Sequence, residues 1–156
     1  MFPSNQYNSD VTVFTPYTNA ETGNIRYFRR VLSRCFWRAD SAAVLRAGGT
    51  AAPEQVEFNI PLITNTGYVN RNVWVDLPPD ELGGIWTIRT GGELERSIIV
   101  RGVFEYPPLE QWANSEDLGL ELRTFRREHG DAEYTPTNVS EYLFGPRSMH
   151  RVAATC

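Results

Sequence analysis

The chain has 156 residues, of which 41% are hydrophobic and 12% aromatic, and carries a formal net charge of −4. This length supports one domain with one sizeable core, and the acidic balance argues against a protein whose main task is to grip a phosphate backbone. No apolar run approaches the roughly 20 residues of a spanning helix, and Met1-Phe2-Pro3-Ser4-Asn5 lacks the basic-then-apolar order of a secretory signal, so a soluble chain made in the cytosol is expected.

Residues 1–9 are polar and turn-forming and read as a flexible arm, leaving 10–156 as the single domain. Val11 and Val13 alternate with polar neighbours in a short strand that Pro16 stops. From Ile25 to Asp40 the sequence fits two periods. As a strand it sets Arg26, Phe28, Arg30, Leu32, Arg34, Phe36 and Arg38 on one face; as a helix it makes an i, i+4 stripe of arginines. Aromatic and β-branched content favours the strand. The stretch from Val44 to Pro53, with Gly48 and Gly49, reads as a loop with little to pack.

Val56, Phe58, Ile60 and Leu62 then alternate with Glu57 and Asn59 in a half-buried strand, which Pro61 ends or confines to an edge. Tyr68 to Leu77 is more mixed, and Pro78-Pro79-Asp80-Glu81 can open one helical turn. The sharpest hairpin signal joins Ile85–Thr90 to Ser97–Tyr106 across Gly91-Gly92. Leu109 to Asp117 suits a brief helix with Trp112 facing inward, while Leu118, Leu120 and Leu122 alternate as another strand. Residues 128–148, with Tyr134, Tyr142 and Phe144, read as a long loop or insertion, and Met149 to Thr155 as a last strand. The expected fold is all-β, a small β-barrel or sandwich of six to eight strands with long loops and at most short helices.

Chemistry-bearing patterns are sparse. Cys35 and Cys156 have no metal-ligand spacing and read as a buried and a terminal thiol. The two histidines, His129 and His150, lie in segments that look irregular. No nucleophile elbow, phosphate loop, dinucleotide fingerprint or zinc-protease helix occurs, so no enzyme, metal or cofactor is expected. All fifteen cations are arginine, the cation suited to bidentate pairing at interfaces. Arg26, Arg30, Arg34 and Arg38, with Trp37 among them and with Arg126-Arg127 later, are therefore candidate subunit or partner contacts. A nucleic-acid surface on the same row is the alternative, disfavoured by the negative net charge.

The order of these segments resembles a known family. Asp10-Val11-Thr12-Val13, Tyr27 to Val31 leading to Cys35-Phe36-Trp37-Arg38, Val56 to Pro61, Trp86-Thr87-Ile88, Ile98 to Gly102, Arg126-Arg127 and His150-Arg151-Val152 follow one another as in the minor capsid proteins of tailed phages, a group similar to head-closure, or stopper, proteins. The family pattern has a tryptophan where this chain has Arg151 and a glycine pair where it has Ala153-Ala154. The resemblance implies a small β-barrel assembled with itself into a ring, expected to be hexameric, in the virion neck. There it would join the portal–adaptor complex to the tail terminator or tail tube and close the channel, packaged DNA being only the channel's content. It implies no catalytic residue and no membrane. Gly48, Gly49, Tyr134, Tyr142 and Phe144 become candidates for loops that contact a neighbour or the channel. Another virion role, tail terminator or capsid-associated protein, suits the same sequence.

Overall fold

A computed structural model describes residues 7–19, 21–40, 55–78, 82, 84–92, 95–106, 112–129 and 133–156. The loop expected over Val44 to Pro53, with Gly48 and Gly49, lies outside these residues, as does most of the expected arm. Its last residues instead join a strand, β1 (Tyr7–Thr18), followed by β2 (Ile25–Asp40), β3 (Gln55–Pro61), helix α1 (Arg71–Asp76), β4 (Ile98–Arg101), β5 (Trp112–Asn114), helix α2 (Ser115–His129), β6 (Glu133–Tyr134), β7 (Asn138–Tyr142) and β8 (Arg151–Thr155). All strands join one antiparallel sheet in the order β6-β4-β1-β2-β3-β8-β7, with β5 also against β2. The protein is mostly β, as its alternating segments lead one to expect.

The hub is β1, in which every residue from Val11 to Pro16 is buried. Val11 and Val13 face an inner cluster with Leu32, Cys35, Phe58, Trp86 and Ile88, whereas Phe14 faces an outer one with Tyr27, Phe104, Leu118 and Leu122. At about 1.5–3 kcal/mol for each fully buried aliphatic or aromatic side chain, these two faces dominate the favourable side of folding. The polar residue between the valines is also accommodated. Thr12 Oγ1 donates to the Gly102 carbonyl at 2.8 Å and accepts from the Phe104 amide at 3.0 Å, which satisfies the backbone just beyond β4.

Neither barrel nor sandwich is completed. Tyr134 on one edge strand and Val139 on the other pack against the same inner cluster, so the sheet curls around it. The ladder stays open because β6 is two residues long and pairs only with β4, while β7 pairs only with β8. Barrel closure needs those two edges to pair along their length.

Other expectations give way. The hairpin across Gly91-Gly92 has no ladder, because both edges of β4 are already taken by β1 and β6. The chain does reverse there, with Gly91 at φ 138°, but Ser97 and Arg89 make the closure through one backbone bond of 2.9 Å and one bond to Ser97 Oγ. Residues 85–90 run instead against the interior, where Thr15 Oγ1 donates to the Thr87 carbonyl at 2.6 Å. Gly67 allows this close approach: at φ 91°, a side chain on it would overlap the Gly84 carbonyl oxygen.

Leu118, Leu120 and Leu122 are helical, in the fifteen-residue α2. Leu118 and Leu122, four apart, are buried against the outer cluster, while Leu120 is 57% exposed. Asn114 Oδ1 accepts from the Asp117 amide at 2.9 Å and caps the helix, with Glu116 and Asp117 in its first turn. Trp112, expected in a helix, lies in β5. Since the sheet face of Leu120 does not exist, Leu120→Gln is expected to change stability by less than about 0.5 kcal/mol in urea unfolding; a loss of 2 kcal/mol would mean that the segment is docked as a strand.

The long loop at 128–148 holds the end of α2 and strands β6 and β7. Near the other end of the sheet, α1 occupies part of the mixed segment Tyr68 to Leu77, and the helical turn expected at Pro78-Pro79-Asp80-Glu81 lies, apart from Pro78, outside the described residues.

Candidate subunit and partner interface

The arginine row depends on the course of β2. Through its first half, Tyr17↔Arg26, Thr15↔Phe28, Val13↔Arg30 and Val11↔Leu32 are cross-strand pairs. Partners across a ladder point to the same side, so the even-numbered residues here face inward with Val11 and Val13. The next pair is Ser9↔Cys35, leaving Ser33 and Arg34 together opposite Asp10. That is a β-bulge, and Arg34 takes a left-handed backbone at φ 57°, the one non-glycine residue with positive φ among those described.

The bulge reverses the side-chain alternation. Beyond it, Cys35 and Trp37 face the inner cluster, and Trp37 pairs with and stacks on Phe58 at 5.5 Å. Arg34 and Arg38 are exposed. The expectation of a single face from Arg26 to Arg38 is therefore corrected: Arg26 and Arg30 lie on the inward side and Arg34 and Arg38 on the outward one.

The inward arginines are occupied locally. Arg30 Nη2 donates to the Thr66 carbonyl at 2.9 Å, bracing the segment that covers the inner cluster. The Arg26 guanidinium lies 4.2 Å above the Trp112 ring, a cation–π contact between β2 and β5. Trp37 is half-buried; its ring also meets Tyr134 at 5.2 Å, and the Arg101 guanidinium lies 5.3 Å from it. Trp37 and Tyr134 thus build the core rather than an open contact surface. Arg127 is exposed on α2, and Arg126 lies on the same helix.

A second feature was not visible in the sequence. Asn65, 4% exposed, holds the bulge: its Oδ1 accepts from the Ser33 amide at 2.9 Å, and its Nδ2 donates to the Ser33 carbonyl at 2.9 Å and the Pro61 carbonyl at 3.0 Å. One side-chain amide satisfies both backbone groups of the bulged residue and ties them to the end of β3. Asn65 was not among the residues singled out from the sequence. The usable signal was an Asx residue just beyond a strand's proline.

Tyr142 and Phe144 are brought together where the β7–β8 hairpin turns. Tyr142 is half-buried, with the Arg151 guanidinium 4.5 Å above its ring. Phe144 touches Tyr142 edge-on at 6.3 Å and is 74% exposed, with Leu143 and Met149 exposed beside it. On the flank of the hairpin, Glu141 accepts from Asn70 Nδ2, and burial followed by this carboxylate raises the Tyr68 phenol well above its ordinary range.

No group of three or more metal-ligating side chains occurs among the described residues, nor does a helix long and apolar enough to cross a membrane. The thiols lie apart from these surfaces. Burial, with a lesser contribution from the Asp10 carboxylate, pushes Cys35 up to about 12, and burial alone pushes Cys156 up to about 12. Both are expected to resist a thiol-reactive disulfide reagent at pH 8 in the native protein and to react on unfolding; prompt native labelling would contradict this. The sign of the pH dependence follows. The unfolded thiols, near 8.5, lose their protons first, so their contribution to stability is complete below about pH 8.5 and falls as pH climbs towards 12.

No curated protein and no solved structure matches the chain. A family model does, over residues 6–155, a span that contains all eight strands described. The chain belongs to that family, described as a family of unknown function (DUF6751).

Proposed function

We propose that the chain is a structural, non-enzymatic protein of a tailed-phage virion, a neck or head-completion component whose copies form a ring between the portal–adaptor complex and the tail. The observation that carries the reading is where the phage-like segments lie. Asp10 to Val13, Tyr27 to Val31 with Cys35 to Arg38, Val56 to Pro61 and Ile98 to Arg101 fall on β1, β2, β3 and β4, neighbours in one sheet, and Trp86 and Ile88 fill its inner cluster. The resemblance thus follows a packed unit rather than scattered loops. A small sheet with open edges and an exposed apolar hairpin turn is suited to assembly, where identical units meet through unlike surfaces.

The nucleic-acid alternative has less support. A phosphate-tracking groove needs its cations side by side, and the bulge sends Arg30 and Arg34 to opposite faces. Mass photometry of the purified chain, with and without a portal–adaptor complex, tests the reading. A closed oligomer that docks on that complex is the expected result, and a chain that stays monomeric and docks to no neck component would overturn it.

A further inference from the structure

We propose that the turn of the β7–β8 hairpin is a docking knob that seats on a second copy of this chain, in the groove beside Trp112 at the start of α2. The proposal rests on the assembly reading above and names the surfaces through which copies meet.

The knob is built to stay in place. Phe144, the most exposed of the large apolar side chains described, is backed by Tyr142, which Arg151 covers in turn. The turn is braced by a 2.8 Å bond from the Met149 amide to the Pro146 carbonyl, a 3.1 Å bond from the His150 amide to the Arg147 carbonyl, and a 3.1 Å contact between His150 Nε2 and the Gly145 carbonyl. An aromatic side chain held ready in this way loses little freedom on binding, and such residues are the ones that carry interface energy. Leu143 and Met149 widen the apolar area around it.

Charge selects the occupant. Residues 142–156 contain two arginines, a histidine and no carboxylate, in a chain with nineteen carboxylates and net charge −4. The knob is therefore a basic and apolar projection on an otherwise acidic molecule, and another copy offers the complementary surface. The groove, about 390 Å³ in volume, lies between the start of β2 and the start of α2 and is lined by Ile25, Arg26, half-buried Trp112 and Glu116, with the Arg26 guanidinium over the Trp112 ring and Glu116 as its one carboxylate. It has room for an aromatic ring, and Glu116 offers a carboxylate to Arg147. Because knob and groove are different surfaces of one chain, the contact is heterologous, and its repetition closes a ring or runs on as a filament.

Sedimentation velocity on the full chain, with variants at exposed positions so that folding is unaffected, tests this. Phe144→Ser, Arg147→Glu and Glu116→Arg are each expected to weaken self-association by about tenfold or more, and combining Arg147→Glu with Glu116→Arg to restore most of it. If the wild type assembles and Phe144→Ser and Arg147→Glu assemble equally well, the docking surface is wrong while the assembly reading stands. If Phe144→Ser assembles normally but no longer docks on the portal–adaptor complex, the knob serves another partner and self-docking is overturned. A wild type that is monomeric and docks to no neck component removes both readings.

Discussion

Trp74→Ala is expected to destabilise the protein by about 3–5 kcal/mol, the usual range for truncating a large buried aromatic residue. Trp74 is fully buried on the short helix α1, where it forms a cluster with Phe28 and Leu82 and meets the Phe28 ring edge-on at 5.8 Å. Its indole N–H donates to the Pro16 carbonyl at 3.2 Å, and Arg89 Nη1 donates to the same oxygen at 3.0 Å. A six-residue helix has little stability of its own, so α1 is fastened to β1 and β2 chiefly by this side chain, with the Tyr17 hydroxyl on the Leu77 carbonyl at 2.9 Å beside it. Trp74→Phe separates the two contributions. It keeps an aromatic ring in the cluster and leaves the Pro16 carbonyl with Arg89, so its cost is expected to be about 1–2 kcal/mol, mostly from lost volume. Midpoints of denaturant unfolding at unchanged slope would measure both. A loss below 1 kcal/mol for Trp74→Ala would mean that α1 is not held in this way.

Asn65→Ala is expected to cost about 2–3 kcal/mol, because it removes three hydrogen bonds and strips both backbone groups of Ser33 of their partner. The chemistry of the site makes Asn65→Asp an informative companion. A carboxylate still accepts from the Ser33 amide, but its second oxygen then faces the Ser33 and Pro61 carbonyls, where a donor is required. Asparagine and aspartate are nearly the same size, so a loss for Asn65→Asp as large as for Asn65→Ala assigns the effect to the donated bonds. Hydrogen exchange gives a local readout, with the Ser33 amide losing protection in Asn65→Ala. Retention of that protection, together with a stability change below 0.5 kcal/mol, would contradict the clamp.

What the sequence disclosed about the fold was what two-residue alternation can disclose. Val11 and Val13, and Val56, Phe58 and Ile60, mark their strands because one face of each packs on the inner cluster. Of the two readings of Pro61, the strand end held and the edge did not: Pro61 is the last residue of β3, pairing only with Arg151 among the described residues, while β3 itself runs between β2 and β8. Alternation misled over Leu118, Leu120 and Leu122, where five residues are too few to separate a period of two from one of 3.6. The wider spacing of Leu118, Leu122 and Phe125, and the cap formed by Asn114 and Asp117, carried the better signal. Gly91-Gly92 marked a real reversal, but a turn does not decide which strand takes the edge of β4; that is a competition among distant segments. At the interface, Phe144 was named from its loop, whereas the division of the arginine row was hidden. Arginine at a left-handed position has no local signature, since glycine or asparagine is the usual occupant.

A strand in which inward and outward residues alternate has, in effect, a reading frame of two, and the bulge at Ser33 and Arg34 is a frameshift within β2. Upstream, the frame writes Phe28 and Leu32 into the interior; downstream, it writes Cys35 and Trp37 there and leaves Arg34 and Arg38 outside. Substitutions in β2 alter one letter of this text. Without the bulge, the same residues would keep the upstream frame throughout, turning Phe36 and Arg38 towards Phe58 and putting Trp37 into water, whereas loss of Ser33 or Arg34 alone would close the bulge and leave Cys35 and Trp37 inside. Length elsewhere in β2 is consequently under tighter constraint than identity, and a deletion within this strand is expected to be tolerated best at the bulge itself.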